Sequence, residues 1–422
     1  MSVGDADLKR PGRNGRLSAQ IAHLRLPGGA GLGSKSVVDA ERALESYARE
    51  LQRPLLNLTY ADTKRFPPPA WALEAFQRAA SGGGESYTPY RGDRDVRAAL
   101  AGPLSSFVGF NVDPDTELIL TPGSQAALFM ALSSLLEPGD RVILADPDYL
   151  AYERMLRFLG AEVDSVPLIY TDGWGVLDEE ALRSKLTADT RCLVLSNPNN
   201  PTGAVLTPAT LNFVARIAQE HDLLVVIDEL YSRLVYDKAP YVHLAALPGM
   251  ADRTITVLGP SKTESLTGYR LGIAVASRET IDAMEDVLSV SALRAPAYGQ
   301  WALAHWLSED HEFLAIRIIE YQRLRDTTVR RLSASSAFAL EIPRGTAYAF
   351  PTVVGPTLTS QEIALALLDE ADVIVNPGYQ FGQRGHGSFR ICFAQREDVW
   401  DQTLDRIIST VEGLVERAGV AA

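Results

Sequence analysis

Only two cysteines occur in the 422 residues, Cys192 and Cys392, and each sits inside an apolar run, Arg-Cys-Leu-Val-Leu and Arg-Ile-Cys-Phe-Ala. That pattern argues against a disulfide framework and predicts buried free thiols in a reducing compartment. The six histidines are scattered with no close pairing, which offers no metal-ligand spacing. Basic charge is also scarce: 40 Lys and Arg stand against 53 Asp and Glu, and a net charge of −13 argues against nucleic acid or an anionic membrane as the main partner. Only a local basic pocket could hold an anion. No apolar run approaches the length that crosses a bilayer, and residues 1–10 lack the apolar stretch of a secretion signal. A soluble, cytoplasmic protein is expected. Internal repeats and low-complexity tracts are missing too, and the length suits two domains.

Residues up to about Pro54 are rich in Gly, Arg and Ala, and only 37–51 has helical spacing. Gly29, Gly31 and Gly33 superficially suggest a phosphate loop, but no strand pattern precedes them, so this stretch reads as an arm. From about Glu117, apolar runs at 118–120, 142–145, 193–195, 223–227 and 255–258 alternate with amphipathic stretches such as 124–136 and 207–220. In the latter, Thr207 can cap and Pro208 suits the first turn. Short, nearly continuous Val/Ile/Leu strands between helices predict an α/β fold whose mainly parallel sheet is covered on both faces. Beyond about Val290 come longer helical stretches (298–307, 312–332, 398–417) and strand-like pieces (337–341, 347–350, 388–393), read as a smaller α+β domain to which the arm returns. The expected division is an arm over 1–56, a large domain over 57–300 and a small domain over 301–422.

Polar groups cluster just past the predicted strands. Lys262, in the stretch from Gly259 to Gly272, follows the run 254–258, and ligands of α/β proteins gather at such strand ends. A lysine there can act as a Schiff-base nucleophile if burial and a neighbouring cation such as Arg270 weaken its hold on a proton. Taken alone it could equally be a solvated loop residue. Thr121-Pro-Gly123-Ser124-Gln125-Ala126 turns from strand to helix and would aim free N–H groups at an anion, although a plain cap at Ser124 needs no ligand. Asp228, in Asp-Glu-Leu-Tyr231, ends the most apolar strand, where a carboxylate calls for a cationic partner or serves as a helix cap. The run 197–203, with two Asn-Pro bonds and a glycine, specifies a rigid loop with a cis bond expected at Pro201. Arg390 interrupts a buried-looking strand and should face a carboxylate, a ligand's or an internal one.

Ser261-Lys262, with Thr267-Gly-Tyr-Arg270-Leu-Gly272 beyond it, resembles the cofactor-lysine segment of the class I/II aminotransferases, pyridoxal-phosphate (PLP) enzymes of the aspartate aminotransferase fold, fold type I. Six segments led by Tyr87, Ser124, Asn200, Asp228, Lys262 and Arg390 occur in that family's order, from roughly Asn57 onward. The resemblance implies a large domain with a mainly parallel seven-stranded-type sheet, a smaller α+β domain and a homodimer. It implies PLP attached to Lys262, with Asp228 at the ring nitrogen, Tyr231 and Asn200 at the ring oxygen, and Tyr149 flat against the ring. Gly123, Ser124, Gln125, Ser261 and Arg270 would hold the phosphate, joined by Tyr87 from the partner subunit. Arg390 and Asn200 would hold the α-carboxylate of the substrate, with Tyr60 and Ala61 on the substrate side.

Three positions depart from the family pattern: Ala61 and Thr63, where a glycine and a proline are usual, and Gly259, where many members have serine. The expected reaction is transamination between an α-amino acid and an α-keto acid. The alternative is β- or γ-elimination or replacement, as in aminocyclopropane-carboxylate synthases, or oxidation. A non-catalytic PLP-binding regulatory module ranks below both, since the arm is short for a DNA-binding domain and the chain is acidic. Arg294, Lys64 and Arg65 could meet a distal acidic group of the substrate or simply be solvated.

Overall fold

The computed structural model describes residues 19–24, 54–309 and 311–421. The helical stretch expected over 37–51 and the glycines from Gly29 to Gly33 lie outside them. The strands of the main sheet are β1 Leu118–Thr121, β2 Arg141–Asp146, β3 Glu162–Thr171, β4 Trp174–Leu177, β5 Thr190–Ser196, β6 Val205–Leu206, β7 Leu224–Asp228, β8 Thr254–Leu258 and β9 Gly272–Val275. Their order across the sheet is β1-β9-β8-β7-β5-β2-β3-β4-β6. From β8 to β3 all neighbours run parallel, and β9 is antiparallel to both β1 and β8, so β1 points the same way as β8. The first seven strands in that order form the expected sheet, and β4 and β6 extend it at one edge.

Local chemistry explains the details. β1, β7 and β8 are buried along nearly their whole length, as their Val/Ile/Leu-rich composition requires. β3 alternates buried and exposed positions and turns into β4 through Asp172-Gly173, both at positive φ, the two-residue hairpin chemistry of an Asp-Gly pair. The Pro208–Glu220 helix starts where Thr207 Oγ1 accepts from the Thr210 N–H (3.1 Å) with proline at its first position. The stretch expected to be helical over 298–307 is instead a tight 3-10 turn, Gly299–Ala304. No described helix is long and apolar enough to cross a membrane.

A second apolar core lies beyond the sheet. Phe389–Cys392 is flanked antiparallel by Tyr348–Ala349 and Asn376–Pro377, and the helices His311–Leu332, Ser360–Ala371 and Glu397–Ala421 accompany this layer. Leu56–Asn57 joins it by pairing parallel with Val373–Ile374. The segment after β7 enters the same core through Leu230, Tyr231, Leu234 and Tyr236, packed with Phe389, Ile391 and Trp400. The described piece of the arm, Ala19–Leu24, lies against the Tyr152–Phe158 helix beside the main sheet instead of returning to this layer. Both cysteines are buried and unpaired, and burial pushes the Cys392 thiol up to about 11.

Candidate active site

Five of the polar segments leave the sheet at the same edge, because each follows the carboxyl end of β1, β2, β5, β7 or β8. That edge is where a sheet of this kind receives ligands. Gly123 caps the Ser124–Leu135 helix at φ 96°, so the helix begins one residue earlier than a Ser124 cap would give. The first N–H groups of a helix have no partner within it. The Arg270 guanidinium lies over this turn: a methyl group on Gly123 would collide with its Nη2. Arg270 is itself exposed and donates from Nη1 to the Thr267 carbonyl (3.2 Å). Ser261 is turned elsewhere, its hydroxyl donating to the Leu271 carbonyl (3.3 Å).

Asp228 is 8 % exposed, and its Oδ2 accepts from the Tyr152 hydroxyl (2.9 Å) while Oδ1 accepts from the Leu230 N–H (3.0 Å). No cation forms an ion pair with it among the described residues. Burial is the largest influence and pushes the carboxyl up to about 6, against the lowering effect of these two donors and of Lys262. Tyr152, the first residue of the Tyr152–Phe158 helix, was not anticipated from the sequence; its place three residues past Tyr149 was the available signal. Tyr149 packs edge-on to Tyr152 (5.4 Å) and donates to Gln125 Oε1 (2.9 Å), which ties the β2 segment to the β1 segment. Tyr231 donates to the Tyr348 hydroxyl (3.2 Å), and burial followed by that neighbouring phenol keeps its own proton on well beyond the usual range.

The loop after β5 is held from within. Asn199 Oδ1 accepts from the Thr202 hydroxyl (2.6 Å) and N–H (3.2 Å), and Leu206 N–H donates to Asn197 Oδ1 (3.0 Å). The cis bond falls at Asn197-Pro198, with another at Asp146-Pro147, and not at Pro201. This loop presents Asn200, whose Oδ1 accepts from Arg390 Nη1 (2.8 Å). Arg390 is 4 % exposed; its Nη2 donates to Thr59 O (2.9 Å) and Asn376 Oδ1 (2.6 Å), and its Nε has no partner. Tyr348 and Phe381 cover the guanidinium, 4.0 and 4.9 Å from their ring centres. No carboxylate pairs with Arg390 among the described residues, so the internal Asp or Glu weighed as its partner is not found there.

Lys262 lies in a turn that two arginines fasten. Arg233 forms a buried ion pair with Glu264, linking the lysine turn to the segment after β7. On the other side Arg317 donates to Ser265 Oγ (2.9 Å) and to the Pro67 carbonyl (3.2 Å). Neither fastening was visible in the sequence. Beside Lys262 opens a cavity of ≈ 540 Å³ whose wall includes Tyr60, Ala61, Ser261 and Tyr231. Tyr87 stands apart, 80 % exposed, with the Arg294 guanidinium 5.3 Å from its ring centre.

These residues fit the PLP that the resemblance implies. The buried Asp228 carboxylate lacks a cation, as a site for a protonated ring nitrogen requires, and the helix start under Arg270 suits a phosphate. The comparison with known proteins agrees. Residues 53–407 match the family described as aminotransferase class I and II. Aromatic-amino-acid aminotransferase 2 of Thermococcus litoralis is 32 % identical over 81 % of this chain and 88 % of its own length. Aspartate/prephenate aminotransferase of Thermus thermophilus is 34 % identical over 86 % of this chain and 94 % of its own. The crystal structure of an aspartate aminotransferase from Rhodobacter sphaeroides superimposes with a TM-score of 0.82 at 35 % identity, covering 86 % of this chain and 94 % of that one. The chain belongs to the class I and II aminotransferases and is a PLP-dependent enzyme of fold type I.

Proposed function

We propose that Lys262 carries PLP, with Asp228 at the ring nitrogen, Tyr231 and Asn200 at the ring oxygen and Tyr149 against the ring face. The backbone of Gly123, Ser124 and Gln125 would hold the phosphate with Ser261 and Arg270, and Arg390 would receive the α-carboxylate of the amino or keto acid. Bound there, PLP supplies an electron sink for the pair left when the substrate Cα loses its proton.

The chain's own groups do the rest. Asp228, buried and ionised only at a cost, stabilises a positive charge on the ring nitrogen beside it and holds that proton in place. Tyr231 keeps its hydroxyl proton and so serves as a hydrogen-bond donor. The Lys262 amine would be the base that moves the proton at the substrate Cα. Arg390 would orient the substrate through its carboxylate, and the Tyr348 and Phe381 rings over the guanidinium would keep water from that contact.

The observation that supports this reading most is Arg390 itself, a buried guanidinium with an unbonded Nε, two covering rings and neutral oxygens as partners. A buried cation so placed is strongly favoured by an incoming carboxylate. Substituting Arg390→Ala should lower kcat/KM for the amino acid by about 10²–10³-fold, as expected for losing two charge-assisted hydrogen bonds. PLP absorbance on reconstitution should persist. An unchanged kcat/KM would remove Arg390 from the substrate site.

We further propose a cytoplasmic homodimer in which Tyr87 serves the partner's phosphate. Its exposure, and that of Leu73, Phe76 and Tyr90, supports a covered face there. The division into an arm over 1–56, a large domain over 57–300 and a small one over 301–422 belongs to the same reading.

A further inference from the structure

We propose that Asp146, at the carboxyl end of β2, is a positioning residue for substrate binding: it fixes the chain between Asn376–Pro377 and Phe389–Cys392 so that Phe381 stays over the Arg390 guanidinium. The proposal rests on the role given above to Arg390 as the anchor of the substrate carboxylate. Those two strands pair antiparallel, yet residues 378–388 join them, far more chain than a tight turn needs. The surplus reaches across to the main sheet as two short 3-10 turns, Gly378–Phe381 and Gln383–Gly385. Asp146 is where it lands. Its Oδ2 accepts from the Gln383 N–H (3.2 Å) and its Oδ1 from the Arg384 N–H (3.2 Å), and close by the Asp148 N–H donates to the Phe381 carbonyl (2.9 Å). Phe381 is thus held at its own carbonyl and through the turn that follows it.

The approach is close enough to demand glycine at the contact: Gly382 has φ 126°, and a methyl group there would collide with Asp146 Oδ1. Asp146 is 6 % exposed, and burial raises its affinity for a proton against the lowering effect of the Arg384 and Gln383 N–H groups. A carboxylate so buried is tolerated because a donor meets each of its oxygens. On its far side the same chain meets Arg390, through the Phe381 ring, 4.9 Å from the guanidinium carbon to the ring centre, and through Asn376 Oδ1, which accepts from Nη2 (2.6 Å). With the Asp146 bonds gone, the Phe381 ring can leave the guanidinium, water reaches it, and the cation attracts a carboxylate less strongly. The cofactor side is held separately. Tyr149 donates from its N–H to Asp148 Oδ1 (2.7 Å) and from its hydroxyl to Gln125 Oε1 (2.9 Å), and neither Asp146 nor Phe381 lines the cavity beside Lys262. The effect therefore falls on substrate binding and spares the step at Cα.

The test compares the PLP-loaded wild type with Asp146→Ala, Phe381→Ala and the double variant, using whichever of L-alanine, L-aspartate and L-phenylalanine reacts fastest with wild type. Asp146→Ala should raise KM by about tenfold while kcat and the cofactor absorbance stay within about twofold, and Phe381→Ala should do the same. The double variant should be no worse than the worse single one, because both substitutions act through one contact. Asp146→Asn keeps one acceptor oxygen and the volume, so its KM should rise by about threefold, a change that can be read even where Asp146→Ala does not fold. A wild-type KM in either Asp146 variant, a loss confined to kcat or to thermal stability, or a double variant showing the product of the single effects overturns the proposal. Arg390→Ala is measured beside them: an unchanged kcat/KM there would instead overturn the role of Arg390 on which the proposal rests.

Discussion

Asp228 and Lys262 stand at the ends of neighbouring strands, β7 and β8, whose pairing brings Asp228 opposite Val257. Tyr60, Tyr269, Tyr321 and Tyr348, on the other wall of the site, come from four segments that meet only when the second core closes on the sheet. The cofactor wall is polar, and its buried groups are held by bonds from fixed elements, such as Tyr152 to Asp228 and Arg390 to Asn200. The tyrosine wall is held by packing and by the hydroxyl contact of Tyr231 with Tyr348. One consequence is that the first wall follows from the order of the strands and allows little variation. The second can change residue by residue without disturbing the sheet.

This contrast can be broken at its most rigid point. Glu264→Gln takes away the carboxylate that pairs with the buried Arg233, and the loss of folding stability in urea denaturation should be about 3–5 kcal/mol. Thr63→Ser on the tyrosine wall should cost less than about 1 kcal/mol. Equal costs for the two would mean that the polar wall is no more tightly specified than the tyrosine wall.

A smaller effect sharpens the same contrast through pH. In the cofactor-free protein the Asp228 carboxyl titrates near 6 instead of 3.8, so between those values the folded state holds the proton more firmly than the unfolded state. Stability from this group is therefore present below about pH 4, declines as pH rises, and is lost above about 6, a difference on the order of 3 kcal/mol. Asp228→Asn should remove that decline and make the cofactor-free protein more stable than wild type at pH 7.5 while matching it near pH 4, as read by thermal unfolding. Parallel pH profiles for the two proteins would show that Asp228 is not the strained carboxylate.

Much of the site was legible in the sequence because it is local: a strand and then a polar turn, repeated after β1, β2, β5, β7 and β8, with an α-helix starting beyond the turn after β1 and β2. Arg390 could be singled out because a guanidinium in a buried strand needs an explanation. The contacts that fasten these groups were not legible. Tyr152 reaches Asp228 across 76 positions, and Arg317 reaches Ser265 across 52, distances over which no periodicity carries information. The isomer of a particular Asn-Pro bond is set by tertiary contacts around the loop, which is why Pro198 and not Pro201 is cis. The stretch after Tyr298 has helical spacing, yet it folds as a 3-10 turn that carries Gln300, whose Oε1 accepts from the Asp93 N–H (2.7 Å).

The most direct measurement is the mass of the peptide containing position 262 after the PLP-loaded protein is reduced with borohydride and digested. A pyridoxyl-phosphate adduct on Lys262, and its disappearance in a Lys262→Ala variant that has lost about 10³–10⁴-fold or more of its activity, is the predicted result. An adduct on a different lysine, or none at all from a protein that still turns over amino acids, would contradict the account.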